Sequence, residues 1–229
     1  GYPQVEQVIN INTDIGAVTH YGKTIALLGD AGPTLRRLNE TLQRQQARPL
    51  GTDSSWIAKC TERRQAWKDF KAQRYQTPTL FDQAWQTKVM TQPAAIKIAA
   101  DWAREQDVVS FYDAGDVQAN GFQIVEDDRL GRTFTDTGAS YMGFAVSALL
   151  ATAVTTQSFY GLAISGDGSF TMNPQILIDG VEHGARGCIL LLDNRRMAAI
   201  SGLQVAQYDR DHTTNDAVKV DDVGWARAI

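Results

Sequence analysis

Cysteine is nearly absent. The 229 residues contain two, Cys60 and Cys188, too few for a disulfide framework. Cys188 opens an apolar run and reads as a buried thiol. Long hydrophobic runs are missing as well. The longest apolar stretch, Met142 to Ile164, is interrupted by Thr155-Thr156-Gln157-Ser158, so it reads as helix, loop and strand and not as a membrane span. No signal-peptide pattern opens the chain. Positive charge is not in excess: the formal net charge is −4, which gives no reason to expect nucleic acid as a partner. The G-x-G-x-x-G fingerprint of dinucleotide binding does not follow the first strand-like run. A soluble cytoplasmic protein, with a small molecule as its ligand and neither nucleic acid nor membrane as a partner, is the expectation. The length fits one large or two small domains, and an apolar content of 43% is enough for a sizeable core.

What is present concentrates between Leu162 and Leu203. LAISGDGSF reads as a short apolar strand and a turn, TMNPQILIDGVEHGARG as a helix, and CILLLDN as a second apolar strand. The interval between Gly168 and Asn194 is enough for one helix and one strand. In a right-handed βαβ crossover both strands end at the same sheet edge. Asp167 then follows the first strand, Asn194 ends the second, and their side-chain oxygens can meet. A carboxylate, an amide oxygen, phosphate oxygens and water are the ligand set of Mg²⁺. Gly166 and Gly168 let backbone N–H groups approach a phosphate, and the following helix would aim its N-terminus at the same anion.

The pattern Gly166-Asp167-Gly168, helix, strand, Asp193-Asn194 resembles the thiamine diphosphate motif of the acetolactate synthase/pyruvate decarboxylase superfamily. The resemblance implies an α/β fold, a doubly wound parallel sheet that binds thiamine diphosphate, preceded by the C-terminal end of a second α/β domain. It implies Mg²⁺ held by Asp167, Asn194 and the main-chain carbonyl of Arg196, and diphosphate held by Gly166, Gly168, Ser169 and Asn194. Upstream, Asp113-Ala114-Gly115-Asp116-Val117 matches the family's Asp-x-Gly segment at Asp113 and Gly115. Gly115, Asp116 and Val117 would hold the diphosphate, although many members carry Gln and His where Asp116 and Val117 stand. Phe134 to Val154 reads as a loop entering an apolar helix and resembles the Gly-x-Met-Gly stretch. There Ser140 would offer its carbonyl to the aminopyrimidine, and Met142 would be the wedge that bends the cofactor. The alternative for Met142 is an ordinary core position. Ile200, Leu203 and Gln204 would face the thiazolium and shape a substrate pocket.

The rest of the chain divides into 1–46, the end of a middle domain; 47–92, a connector; and 93–229, a diphosphate-binding domain cut short. Residues 5–15 and Thr24–Leu28 read as strands, and Pro33 begins a helix with Leu35, Leu38 and Leu42 on one face. In flavin-containing relatives an Asp-rich strand end here contacts adenosine. This chain has Asn10 and Asn12, so FAD stays an open option and a structural edge is the favoured use. A basic helix over Ser54–Arg74 would set Trp56, Cys60, Trp67 and Phe70 on one stripe, packed onto a domain. A Trp-bearing connector of this kind resembles the trihydroxycyclohexanedione hydrolase branch. Thr91 and Pro93 start another helix, and Val108–Tyr112 is a buried strand. His183 and His212 read as solvent-exposed, and Tyr208–Asp216 as a mobile loop.

The resemblance implies an enzyme that makes or cleaves a C–C bond beside a carbonyl, on a 2-oxo acid or 1,2-dicarbonyl substrate. Acetolactate synthase-like condensation is the first form, and hydrolysis of a ring dione the second. The family's activating glutamate has no counterpart here and is expected outside this chain, across the interface of a homodimer or tetramer. The chain is thus expected to be part of a longer polypeptide. A non-catalytic cofactor- or nucleotide-binding module, or a scaffold, is the other class. The Asp167–Asn194 pair discriminates against a plain nucleotide-binding module.

Overall fold

The computed structural model describes residues 4–48, 51, 54–83 and 85–229. The chain falls into two compact units, Gly1–Arg64 and Gln65–Ile229. The first unit pairs β1 (Val8–Asn12) with β2 (Thr24–Leu28) in parallel, joined through the single turn of α1 (Ile15–Val18). The Asn10 amide donates to the carbonyls of Ala17 (3.0 Å) and Val18 (2.9 Å), and Asn12 Oδ1 accepts from the Asp14 amide at 2.9 Å. Both amides therefore hold the loop that ends β1, which is the structural use expected of them. Asp30 caps α2 (Ala31–Arg44) by accepting from the Gly32 amide at 2.9 Å.

Helix α3 (Ser55–Gln76) spans the expected basic helix. Its aromatic stripe is not packed: Trp56, Cys60, Trp67 and Phe70 are all exposed. Trp67 and Phe70 stack on each other at 5.3 Å, and the Arg74 guanidinium lies 4.5 Å over the Phe70 ring. Polar and charged residues alternate with these rings around the helix, so the stripe contacts its own neighbours one turn away.

In the second unit a hairpin of β3 (Thr79–Asp82) and β4 (Thr87–Met90) precedes α4 (Gln92–Glu105). Then follow β5 (Val109–Tyr112), α5 (Asp116–Ile124), β6 (Thr133–Thr135), α6 (Phe144–Ala148), α7 (Ala151–Val154), β7 (Gly161–Gly166), α8 (Asp167–Phe170), α9 (Ile176–Glu182), β8 (Gly187–Leu192), α10 (Ala198–Tyr208) and α11 (Asp222–Ala228). The sheet has the order β6-β5-β7-β8 and every pair is parallel. Alternate residues of β5 and β7 feed opposite faces. Tyr112, Leu162 and Ile164 pack with α4 and α5, while Val109, Phe111 and Ala163 pack with α6 and α9. Apolar cover on both faces makes this a doubly wound α/β sheet.

Two elements differ from the sequence expectation. The stretch from Phe134 opens inside a strand, β6, and the apolar helix after it is two short pieces, because the amides of Leu149, Leu150, Thr152 and Ala153 bond three residues back. The crossover helix after Gly166 is likewise split into α8 and α9. Pro174, which lacks an N–H, sits in the gap, and Asn173 leaves the helix path to donate to Ser147 Oγ at 3.0 Å. Among the described residues no helix is long and apolar enough to cross a membrane.

Gly161 and Gly187 face each other at the start of β7 and β8. A Cβ on Gly187 would lie 2.5 Å from the Gly161 carbonyl oxygen and 2.8 Å from Leu149 Cδ2. Backbone cannot yield there, so Gly187→Ala is expected to cost about 2–3 kcal/mol. A urea-denaturation midpoint unchanged by the substitution would refute this.

Candidate functional site

The strand order fixes where a ligand belongs. From β5 the chain goes first to β6 on one side, then crosses to β7 and β8 on the other. The reversal leaves a crevice outside the C-terminal ends of β5 and β7, the usual ligand position in open α/β sheets. Asp113 follows β5 and Gly166 ends β7, so both flank it.

Asp113 is fully buried. Its Oδ1 accepts from the amides of Ala114 (2.9 Å) and Gly143 (2.8 Å), and its Oδ2 accepts from the Ser165 hydroxyl (2.6 Å). Beyond it, Gly115 has φ +73, a conformation glycine adopts without cost. α5 then starts at Asp116 with no side-chain cap, so its first amides remain free for a ligand. Asp116 lies in that first turn, where the helix dipole favours a carboxylate. Val117 is buried, which leaves its backbone alone to face the crevice.

A cavity of about 650 Å³ occupies the crevice. Its walls include Gly115, Asp116 and Val117 after β5, Ser140 and Met142 from the β6–α6 loop, and Gly166 to Ser169 after β7. Asn194, Arg196 and Ile200 line it after β8. Ser140 has φ +54 and its hydroxyl donates to Gln118 Oε1 at 3.1 Å. Gln118 Nε2 in turn donates to Thr135 Oγ1 and the Asp136 carbonyl, both at 2.7 Å, and so ties this loop to α5. Met142 Cε stands 3.7 Å from where a Gly168 Cβ would be.

The edge between β7 and β8 is electronegative. Burial, then the Asp193 carboxylate, push the Asp167 carboxyl above its usual range, and the backbone amides of Gly168, Asp167 and Asn194 pull the other way. Burial and the same Asp193 also raise Asp222. Among the described residues no three His, Cys, Asp or Glu side chains converge as a metal cluster. A cation here would depend on Asp167, the Asn194 amide oxygen, a main-chain carbonyl and oxygens from a ligand. That set suits Mg²⁺, which takes one or two carboxylates together with phosphate oxygens. Asn194 Oδ1 already accepts from the Arg196 amide at 3.0 Å and keeps a second lone pair.

Of the residues singled out from sequence, Leu203 and Gln204 do not reach this cavity. Leu203 is exposed on α10, and Gln204 Oε1 accepts from the His212 amide and from Asn215 Nδ2, both at 3.1 Å. Both share the helical face of Ile200, three and four residues on, but they lie one turn further along α10, and the α10 residues that line the cavity stop at Ile200. His183 and His212 are exposed, as expected. The Tyr208–Asp216 segment is latched. The Met197 amide donates to the Asn215 carbonyl (3.0 Å) and the Ala217 amide to the Arg195 carbonyl (2.8 Å). The Arg196 guanidinium pairs with Asp216 at 2.6 Å and Asp211 at 3.0 Å.

The connector contributes residues that sequence reasoning missed. Asp82, Trp85, Val89 and Met90 of the hairpin line the cavity, and the Arg195 guanidinium lies 4.0 Å over the Trp85 ring. Neither Thr79–Asp82 (TLFD) nor Thr87–Met90 (TKVM) alternates apolar and polar residues, so the hairpin had no period-two signal in the sequence; its turn is closed by Asp82 Oδ1, which accepts from the Trp85 amide at 2.9 Å.

Comparison with known proteins follows the same residues. The family model for the thiamine pyrophosphate enzyme, C-terminal TPP binding domain, matches residues 113–229, half of the chain. A 3D-(3,5/4)-trihydroxycyclohexane-1,2-dione hydrolase from Lacticaseibacillus casei is 27% identical over 240 residues, 96% of this chain and 36% of that protein. The chain thus spans about a third of that relative's length. Among solved structures, the thiamine diphosphate-dependent 4-hydroxybenzoylformate decarboxylase of Rhodococcus jostii RHA1 has a TM-score of 0.66 at 14% identity, over 97% of this chain and 37% of that one. The benzoylformate decarboxylase of Polynucleobacter necessarius has a TM-score of 0.53 at 15% identity, over 61% and 27%. At such identity these two structures support the fold.

Proposed function

The chain belongs to the thiamine pyrophosphate enzymes through their C-terminal TPP binding domain, and from that premise we propose that the intact protein is a thiamine diphosphate- and Mg²⁺-dependent enzyme acting on a bond next to a carbonyl. The observation that carries this reading is the glycine-floored cavity with Asp167 and Asn194 at its edge. A Cβ added at Gly115 or Gly166 would meet nothing within 4 Å. Both glycines leave open the kind of space a diphosphate fills, next to backbone amides.

Within the cavity the roles divide by chemistry. Gly115, the backbones of Asp116 and Val117, and Gly166, Gly168 and Ser169 hold the diphosphate. Asp167, the Asn194 side chain and the Arg196 carbonyl hold Mg²⁺. Ser140 presents backbone to the ring system and Met142 packs beneath it, where an unbranched thioether fits an irregular contact. Ile200, with Trp85 and Met90, walls the substrate side. Bound there, the cofactor supplies a carbon nucleophile and an electron sink for carbanion character beside a carbonyl.

The substrate is a 2-oxo acid or a 1,2-dicarbonyl compound. Between acetolactate synthase-like condensation and opening of a ring dione, the likeness to the hydrolase supports the second, since it runs over nearly the whole chain. The test is calorimetric titration of thiamine diphosphate into the intact protein, with Mg²⁺ and with chelator. Ring opening of a cyclic 1,2-dione is then assayed beside condensation of pyruvate. Metal-dependent binding and dione hydrolysis are expected. A folded protein that binds no thiamine diphosphate would refute the cofactor reading, and pyruvate condensation without dione turnover would move the substrate to the oxo-acid class.

A further inference from the structure

One carboxylate touches three of the segments that build the cavity, yet does not itself line it. Asp113 Oδ1 joins the Ala114 amide, which opens the diphosphate turn, to the Gly143 amide, which follows Met142. Its Oδ2 joins the Ser165 hydroxyl, which precedes Gly166 and Asp167. Among the described residues it forms no ion pair, so its burial is made tolerable by these hydrogen bonds alone. Gly143 reaches it in a left-handed conformation, φ +89, pressed so closely that a Cβ would lie 2.8 Å from Asn173 Nδ2. A folded domain does not need the Met142 loop to be held by the same group that ends β5 and β7. A cofactor gripped at three points does, because errors of a few tenths of an ångström between them are errors in fit.

Resting on the cofactor reading above, we propose that Asp113 is the positioning residue of this site, its buried carboxylate setting the spacing between the diphosphate turn, the Met142 wedge and the metal-bearing turn. The shape of the group matters more than its charge. In Asp113→Asn the remaining oxygen still accepts from both amides, and the new NH₂ donates to Ser165 Oγ. The Ser165 hydroxyl hydrogen then turns to the Gly166 carbonyl, which is 3.2 Å away.

The experiment compares intact wild-type protein with Asp113→Ala, Asp113→Asn and Ser165→Ala. It measures the melting temperature without ligand and thiamine diphosphate affinity at fixed Mg²⁺. Asp113→Ala is expected to weaken cofactor binding at least about tenfold, Ser165→Ala about threefold to tenfold, and Asp113→Asn less than about threefold. If Asp113→Ala does not fold, Ser165→Ala and Asp113→Asn carry the comparison. Wild-type affinity in the alanine variants would overturn the proposal, as would an asparagine variant as weak as alanine. Wild-type protein that binds no thiamine diphosphate would sink the cofactor reading itself, and this proposal with it.

Discussion

Asparagine at position 167 is expected to leave a folded protein whose Mg²⁺-dependent affinity for thiamine diphosphate has fallen by more than about a hundredfold, beyond the loss usual for an outer-shell partner. Asp167 stands at the end of β7 beside the end of β8, and among the described residues no group of three or more His, Cys, Asp or Glu side chains offers another ready-made cation site. An amide keeps the shape of the carboxylate but not the charge that a hard dication requires. The same substitution is expected to raise the melting temperature of the ligand-free protein. The sign follows from the raised pKa of Asp167, caused first by burial and then by Asp193. A carboxyl whose pKa is higher in the folded chain than in the unfolded one is costly to the fold when ionised. The cost is full above the folded pKa and vanishes below the ordinary carboxylate value. At neutral pH the neutral isostere removes it. Scanning calorimetry without ligand and titration with it read the two effects separately. A lower melting temperature would mean that Asp167 is a structural residue, and retained Mg²⁺-dependent binding would move the metal site elsewhere.

The β7–β8 edge was legible because it is written in adjacent short motifs: GDGS after one apolar run and DN after the next fix both strand ends. The sheet order was not. β6 has only three residues, Thr133–Thr135, and no alternation long enough to read. Yet its place beside β5 creates the strand reversal that opens the crevice. Asp113 was visible as a motif residue, but its function depends on Gly143 and Ser165, which lie 30 and 52 positions away. Such a contact has no local signature. Leu203 and Gln204 were extrapolated along the chain past Asn194; they share the helical face of Ile200 but lie one turn beyond it, past the last α10 residue that lines the cavity. The aromatic connector failed in the opposite sense. Trp56 and Trp67 looked like packing residues and are exposed, while Trp85 lines the cavity beneath Arg195. Tryptophan content predicts that burial is wanted, and only tertiary structure says where.

Two glycines in the same pair of strands should respond to enlargement in opposite ways, and Gly166→Val is the more informative. Gly187 sits where a Cβ meets backbone, so its replacement damages the fold. Gly166, at the other end of β7, has φ −79 and ψ 156, a conformation open to every L-residue and favourable to a β-branched one. A Cβ there meets nothing within 4 Å. The fold therefore gives no reason for glycine at this position. On the proposed cofactor reading the reason lies in the ligand: a diphosphate approaching the backbone after β7 needs the volume that a side chain would take. Gly166→Val is expected to leave ligand-free stability within about 0.5 kcal/mol of wild type. It is expected to weaken thiamine diphosphate at least about thirtyfold, roughly 2 kcal/mol, with Gly166→Ala between the two. Denaturant unfolding and calorimetric titration of the intact protein decide it. Valine tolerated in both would place the diphosphate away from Gly166. A loss of stability as large as the loss of affinity would show that the glycine serves the strand end and not the ligand.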